Sequence, residues 1–154
     1  MKIMRAVLYC AVAAVTSAQA QKNCSQADII AAEKAIERIL TWGNLQKAWH
    51  DYGHCDKGNV EDVFTDALMR LMVGWKQVDA IAAAMAKDAD YKAWVHKHLL
   101  SPAAKDDRED LYALAKKSCP AKQEAFCAEL AEVVKPVKAE PMKAFNLDPI
   151  KPIK

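Results

Sequence analysis

The chain has 154 residues, five cysteines, a formal net charge of +2 and 53% hydrophobic residues. That length gives one domain with a single core, and the charge is uneven: residues 21–134 hold 15 basic and 18 acidic side chains, a net of −3, while five lysines follow Val134. A mildly acidic body with a basic tail has no nucleic-acid footprint.

The first element is a leader. Met1, Lys2 and Arg5 form a short basic start, and the apolar run from Ala6 to Val15 is too short to span a bilayer. Ala18-Gln19-Ala20 is a small-residue cleavage site, so residues 1–20 read as a signal peptide cut after Ala20. Cys10 lies inside the apolar run and not at a lipoprotein position, so no lipid anchor is expected. The expected product is a periplasmic chain, Gln21–Lys154.

Export leaves Cys24, Cys55, Cys119 and Cys127, an even set that favours two disulfides in an oxidising compartment. Three pairings are open, and the reading leans towards Cys24–Cys55 with Cys119–Cys127. The second bridge sets a condition. A helix running unbroken from Pro120 through Cys127 would hold the two cysteines about 12 Å apart, and a disulfide needs Cα atoms within roughly 7 Å. The chain must therefore turn after Cys119, with the helix beginning near Lys122.

Glycine is scarce, alanine abundant, and no stretch alternates like a strand, so the body reads as all-α. Ser25 and Asp28 form a capping box, followed by Ile29, Ala32, Ile36 and Leu40 at helical spacing. Trp42-Gly43-Asn44 interrupts, and a short helix is expected from Leu45 to Tyr52 with Trp49 inward and Gly53 as its stop. A loop, His54–Gly58, leads to Asn59 as the next N-cap, with Glu61 and Asp62 at the positive end of the helix dipole. Val60, Val63, Phe64, Ala67, Leu68, Leu71, Met72 and Trp75 then mark the central helix. Gly74 kinks or breaks it before Val78, Ile81, Ala82 and Met85 continue the period. Met69, Met72 and Met85 read as core filling.

Asp88 or Asp90 caps a helix bearing Tyr91, Trp94, Val95, His98 and Leu99, which Ser101-Pro102 stops. Asp106 or Asp107 caps another, with Leu111, Leu114 and Ala115 inward. A last helix carries Phe126, Leu130 and Val133. The expected architecture is a compact bundle of five to six helices, residues 21–134, stabilised by disulfides. Residues 135–154, punctuated by Pro136, Pro141, Pro149 and Pro152, read as a disordered Pro/Lys-rich tail.

The densest polar chemistry lies in His50–Gly58. His50 and His54 stand i, i+4, the spacing that puts two imidazoles on one helical face. Gly53 spoils that face, and no H-E-x-x-H motif is present. Cys55 beside His54 is better read as a cross-link than as a nucleophile. There is no G-x-S-x-G and no phosphate-cradling glycine loop, and the paired carboxylates sit at helix starts, where capping explains them. No catalytic residue, metal or cofactor is assigned, and the chain does not read as an enzyme. The readings that remain are an exported binding protein or inhibitor and, as the alternative, an exported helical protein that binds a metal or small molecule. The surface chosen for partner contact is His50, Asp51, Tyr52, His54, Asp56 and Lys57, with Asp88 and Asp90.

The run LQKAWHDYGHC (Leu45–Cys55) is followed by DKG, by the amphipathic EDVFTDALMRLMVGW, by a D-x-D-Y-x-x-W-V-x-x-H segment at Asp88–His98, and by Cys119-Pro120 with Cys127. This layout resembles the exported helical immunity proteins of bacterial type VI secretion systems, in particular the amidase-immunity proteins. The resemblance spans roughly residues 24–130. It implies a small periplasmic all-α protein, often dimeric, that occupies the substrate cleft of a secreted peptidoglycan hydrolase. The basic proline tail is not part of that pattern.

Overall fold

A computed structural model of the chain describes residues 22–136. The leader and the residues after Pro136, with the expectations placed on them, lie outside the described residues. Among the described residues seven α-helices follow one another: α1 (Gln26–Ile36), α2 (Trp42–Tyr52), α3 (Asn59–Val73), α4 (Val78–Lys87), α5 (Ala89–Leu99), α6 (Arg108–Lys117) and α7 (Glu124–Val133). Short 3-10 turns cover Gly53–Cys55 and Pro102–Ala104. The all-α class is as expected. The helix number exceeds five to six because the central pattern is two helices, α3 and α4.

The break between them lies after Gly74. Gly74 keeps a right-handed φ of −59°, whereas Trp75 and Gln77 have φ of 48° and 57°. Left-handed backbone is unfavourable for residues with a Cβ, so neighbours must hold it. The Trp75 indole donates to Ser118 O at 2.8 Å, and the Trp42 indole donates to Lys76 O at 3.1 Å. Two tryptophans thus clamp the reversal to α6 and α2.

Caps set the other boundaries. Ser25 and Asp28 make the capping box: Asp28 N donates to Ser25 Oγ and Ser25 N to Asp28 Oδ2, both at 3.1 Å. α2 starts earlier than expected because Thr41 caps it through Asn44 N; Trp42 is therefore a buried first-turn residue and not a break. The expected Asn59 cap is corrected to Gly58, whose φ of 55° turns the loop into α3, with Asn59 as its first residue. Gly53 is right-handed, φ −58°, and continues into the 3-10 turn instead of stopping the helix in a left-handed cap. Its missing side chain has another reason: a Cβ there would lie 3.0 Å from the Trp49 ring. Leu40 is also corrected. α1 ends at Ile36, Ile39 takes the core position at 3% exposure, and Leu40 is 81% exposed.

α3 is the central helix. It packs against α1, α2, α5, α6 and the Pro102 turn, while α4 lies on α5 and α7 on α6. Phe64 and Leu68 are completely buried, and Met69, Met72 and Met85 all belong to the core face. Both expected disulfides are formed, Cys24–Cys55 and Cys119–Cys127. The second meets its condition: Lys122 turns at φ 71°, α7 begins at Glu124, and the Cα atoms stand 6.0 Å apart. Among the described residues no helix is long and apolar enough to cross a membrane.

Candidate functional site

α5 supplies the platform for the polar loop. Tyr91, Trp94 and His98 lie on one face, stepping by three and four residues, and their rings follow one another at 5.5 and 4.5 Å. Trp49 of α2 meets this rail at 5.1 Å from Tyr91, and Phe64 of α3 meets Trp94 edge-on at 5.2 Å. The loop after α2 is laid across this aromatic column.

Asp56 fixes it there. The Trp94 indole donates to its Oδ2 at 3.1 Å, the Lys97 ammonium at 2.9 Å and His98 Nε2 at 3.1 Å. Its side chain is only 8% exposed. Burial disfavours the charge of this carboxyl, but the hydrogen bonds from His98 and then Lys97, with their positive charge, outweigh it and hold its pKa below the usual carboxylate value. Lys97 also reaches Glu61 at 3.1 Å, tying the start of α3 to α5.

Behind His98 the chain of contacts continues. Nδ1 lies 2.7 Å from Thr65 Oγ, which is itself 2.9 Å from Glu61 O. Nε2 carries the proton that meets the carboxylate, and because the Thr65 hydroxyl donates its one proton to Glu61 O, its oxygen meets Nδ1 as the acceptor. Carboxylate, imidazole and hydroxyl therefore stand in the order used for nucleophilic catalysis. Here the hydroxyl is 1% and the imidazole 0% exposed. No substrate carbonyl reaches Thr65 in this arrangement, and the three groups act as a strut between the loop, α3 and α5.

The sequence-chosen contact residues thus fall into separate roles. His50, Asp51 and Lys57 are exposed on the outer face of α2 and the loop, and Asp51 pairs with Lys47 at 2.5 Å. Tyr52 is half-buried against the core. Asp56 points inward and is taken up by three donors. Asp88 caps α5 through Tyr91 N at 2.9 Å, and Asp90 is exposed in the first turn of that helix.

The two histidines at i, i+4 engage different neighbours. His50 lies 4.6 Å from Trp49, while His54 Nε2 is 3.8 Å from Asp28 Oδ2. Ligand atoms of Asp28, His54 and Cys55 lie within 4.8 Å of one another. Cys55 Sγ is bonded to Cys24, and Asp28 Oδ2 already accepts from Ser25 N and Ser25 Oγ. The sulfur and the carboxylate oxygen are therefore committed to structural bonds, while His54 Nε2 is buried without a hydrogen-bond partner among the described residues. A second buried-edge cluster joins α5 to α7: Lys92 and His96 both approach Glu129, at 2.6 and 3.1 Å. Burial holds the His96 pKa below its usual value, with Glu129 opposing.

The Asp56 strut was missed because its partners lie about 40 positions away. One signal was present in the sequence: His98 lies on the apolar stripe of α5 with Trp94 and Leu99, and a buried imidazole needs a polar partner. No family model, curated protein or solved structure matches the chain.

Proposed function

We propose that the chain is a periplasmic immunity protein that binds a peptidoglycan amidase-type effector of a type VI secretion system and blocks its substrate cleft. The observation that carries this reading is the double anchoring of the loop Gly53–Gly58. The Cys24–Cys55 bridge holds one side of it and Asp56 the other, so the exposed His50, Asp51 and Lys57 stand on a fixed frame. A contact surface fixed before binding loses little conformational entropy in the complex. The two disulfides agree with an oxidising compartment. The sequence resemblance supplies the identity of the target class.

The test reads the neighbouring reading frames for a secreted peptidoglycan hydrolase and co-expresses that enzyme with this chain in the periplasm; finding no such gene counts against the reading. The reading expects cells to survive and the two proteins to co-purify. Unchanged lysis with no complex would sink it.

A further inference from the structure

The 3-10 turn after α2 carries His54 and Cys55, and Cys24 stands just ahead of Ser25, the cap of α1. These three residues line one recess of about 610 Å³, together with Lys22 and Lys57. Ligand atoms of Asp28, His54 and Cys55 lie within 4.8 Å of one another, and Cys24 Sγ, bonded to Cys55, adds a fourth donor. His54 Nε2 is buried and has no hydrogen-bond partner among the described residues. Asp28 Oδ2 stands 3.8 Å from it, beyond hydrogen-bond reach. An imidazole nitrogen buried in this way carries a desolvation cost, which a bound cation removes.

We propose that Cys24, Cys55, His54 and Asp28 form a zinc site when the Cys24–Cys55 bridge is reduced. Two thiolates, an imidazole and a carboxylate are a zinc donor set, and tetrahedral bonds of about 2.0–2.3 Å set neighbouring donors about 3.3–3.8 Å apart. The 3.8 Å between His54 Nε2 and Asp28 Oδ2 already matches that spacing. With Cα atoms 5.0 Å apart, side-chain rotation lets the two sulfurs open to it. Reduction leaves the walls standing: Asp56 ties the turn to α5, and the capping box holds Asp28. Lys22, 3.5 Å from Asp28 Oδ1, yields that carboxylate to the ion. Zn²⁺ with two thiolates and one carboxylate is a singly negative complex, which Lys22 and Lys57 offset.

Cys24 is exposed, so a dithiol reductant reaches its sulfur. The two thiols of the reductant become a disulfide, and Cys24 and Cys55 take up the two electrons and two protons. Zn²⁺ then displaces both thiol protons to solvent. The turn is held to the start of α1 in either state, by the S–S bond or by the metal. Metal binding at this site is independent of whether the chain binds a hydrolase.

The experiment titrates Co²⁺ and then Zn²⁺ into the purified chain, reduced with a phosphine and kept free of oxygen. It follows the visible bands of tetrahedral, thiolate-bound cobalt, with circular dichroism to confirm the helices of each reduced variant. The expected result is one Co²⁺ per chain, displaced by Zn²⁺, and no bands from the oxidised chain. His54→Ala weakens Zn²⁺ binding at least about tenfold, Cys24→Ser removes the bands, and His50→Ala leaves binding unchanged. Cys119→Ser with Cys127→Ser retains it, because the thiolates come from the other pair. Should that double variant not fold, wild type against His54→Ala decides, since both keep Cys119 and Cys127. Absence of the bands, equal affinity in His54→Ala, or loss of binding in a folded Cys119→Ser, Cys127→Ser chain overturns the proposal. Binding by a reduced chain that has lost its helices and does not regain them with metal overturns it too.

Discussion

Asp56 shows how one side chain turns a loop into part of the core. Its Oδ2 collects three donors from α5, so removing the charge leaves Lys97 and His98 facing a weaker acceptor. Asp56→Asn is expected to cost about 3 kcal/mol, the scale for breaking a largely buried pair, read by urea denaturation. The pH dependence has a definite sign. The folded-state pKa of Asp56 is lowered, so its contribution is present above the unfolded value, near 4, and is lost as pH falls through the folded value. Asp28 adds in the same direction, its pKa lowered to about 2 chiefly by the hydrogen bonds from the Ser25 hydroxyl and backbone. Stability should fall on acidification below about pH 4, and Asp56→Asn should flatten that limb. An acid limb unchanged in the variant would contradict the assignment. Gln77 makes an opposite prediction. Its side chain is exposed and its φ is 57°, so Gln77→Gly should stabilise by about 1 kcal/mol, the left-handed penalty of a residue with a Cβ, raising the melting temperature. At this scale the sequence was a partial guide. It gathered Tyr91, Trp94, Val95, His98 and Leu99 on one helix, where their spacing marks a single face, and all five are buried. It put Asp56 outside, because a carboxylate in a loop gives no sign of partners brought by a distant helix.

At the scale of elements, periodicity and caps located most of the fold. The central stripe from Val60 to Trp75, the Ser25 box and the Asp88 cap were all legible in the order of residues. The errors came where a local rule was overridden. Gly43 hid the first turn of α2, which Thr41 caps three residues before the expected start at Leu45, and the burial of Trp42 offsets that glycine. Gly53 does follow the last residue of α2, as expected, but in right-handed backbone, and the Trp49 ring 3.0 Å from a Cβ there crowds any side chain. The disulfides give a test at this scale. They close 31 and 8 residues of sequence separation. In the chain-entropy account this corresponds to about 4 and 2.5 kcal/mol. Paired serine replacement at Cys24 and Cys55 should therefore destabilise more than replacement at Cys119 and Cys127. Equal losses, or the reverse order, would mean that native contacts around the bridges outweigh chain entropy.

For the molecule as a whole, the helices form a rigid support, and the polar residues divide into two sets. One set serves the fold: Asp56, His98 and Thr65 in the buried strut, and Asp28 and Asp88 in helix caps. The other stays outside: His50, Asp51 and Lys57 on the loop face. The all-α class was legible because it follows from local spacing, whereas three disulfide pairings stayed open and the reading only leaned towards the one that is formed. It could not separate the two sets, since that depends on which helix lies under the loop. Inhibition by occupancy is read out by titrating a secreted peptidoglycan amidase found in a neighbouring reading frame with the purified, oxidised protein while measuring solubilisation of peptidoglycan. The expected result is a linear loss of activity ending at one chain per enzyme. Undiminished hydrolysis at a large molar excess would contradict it.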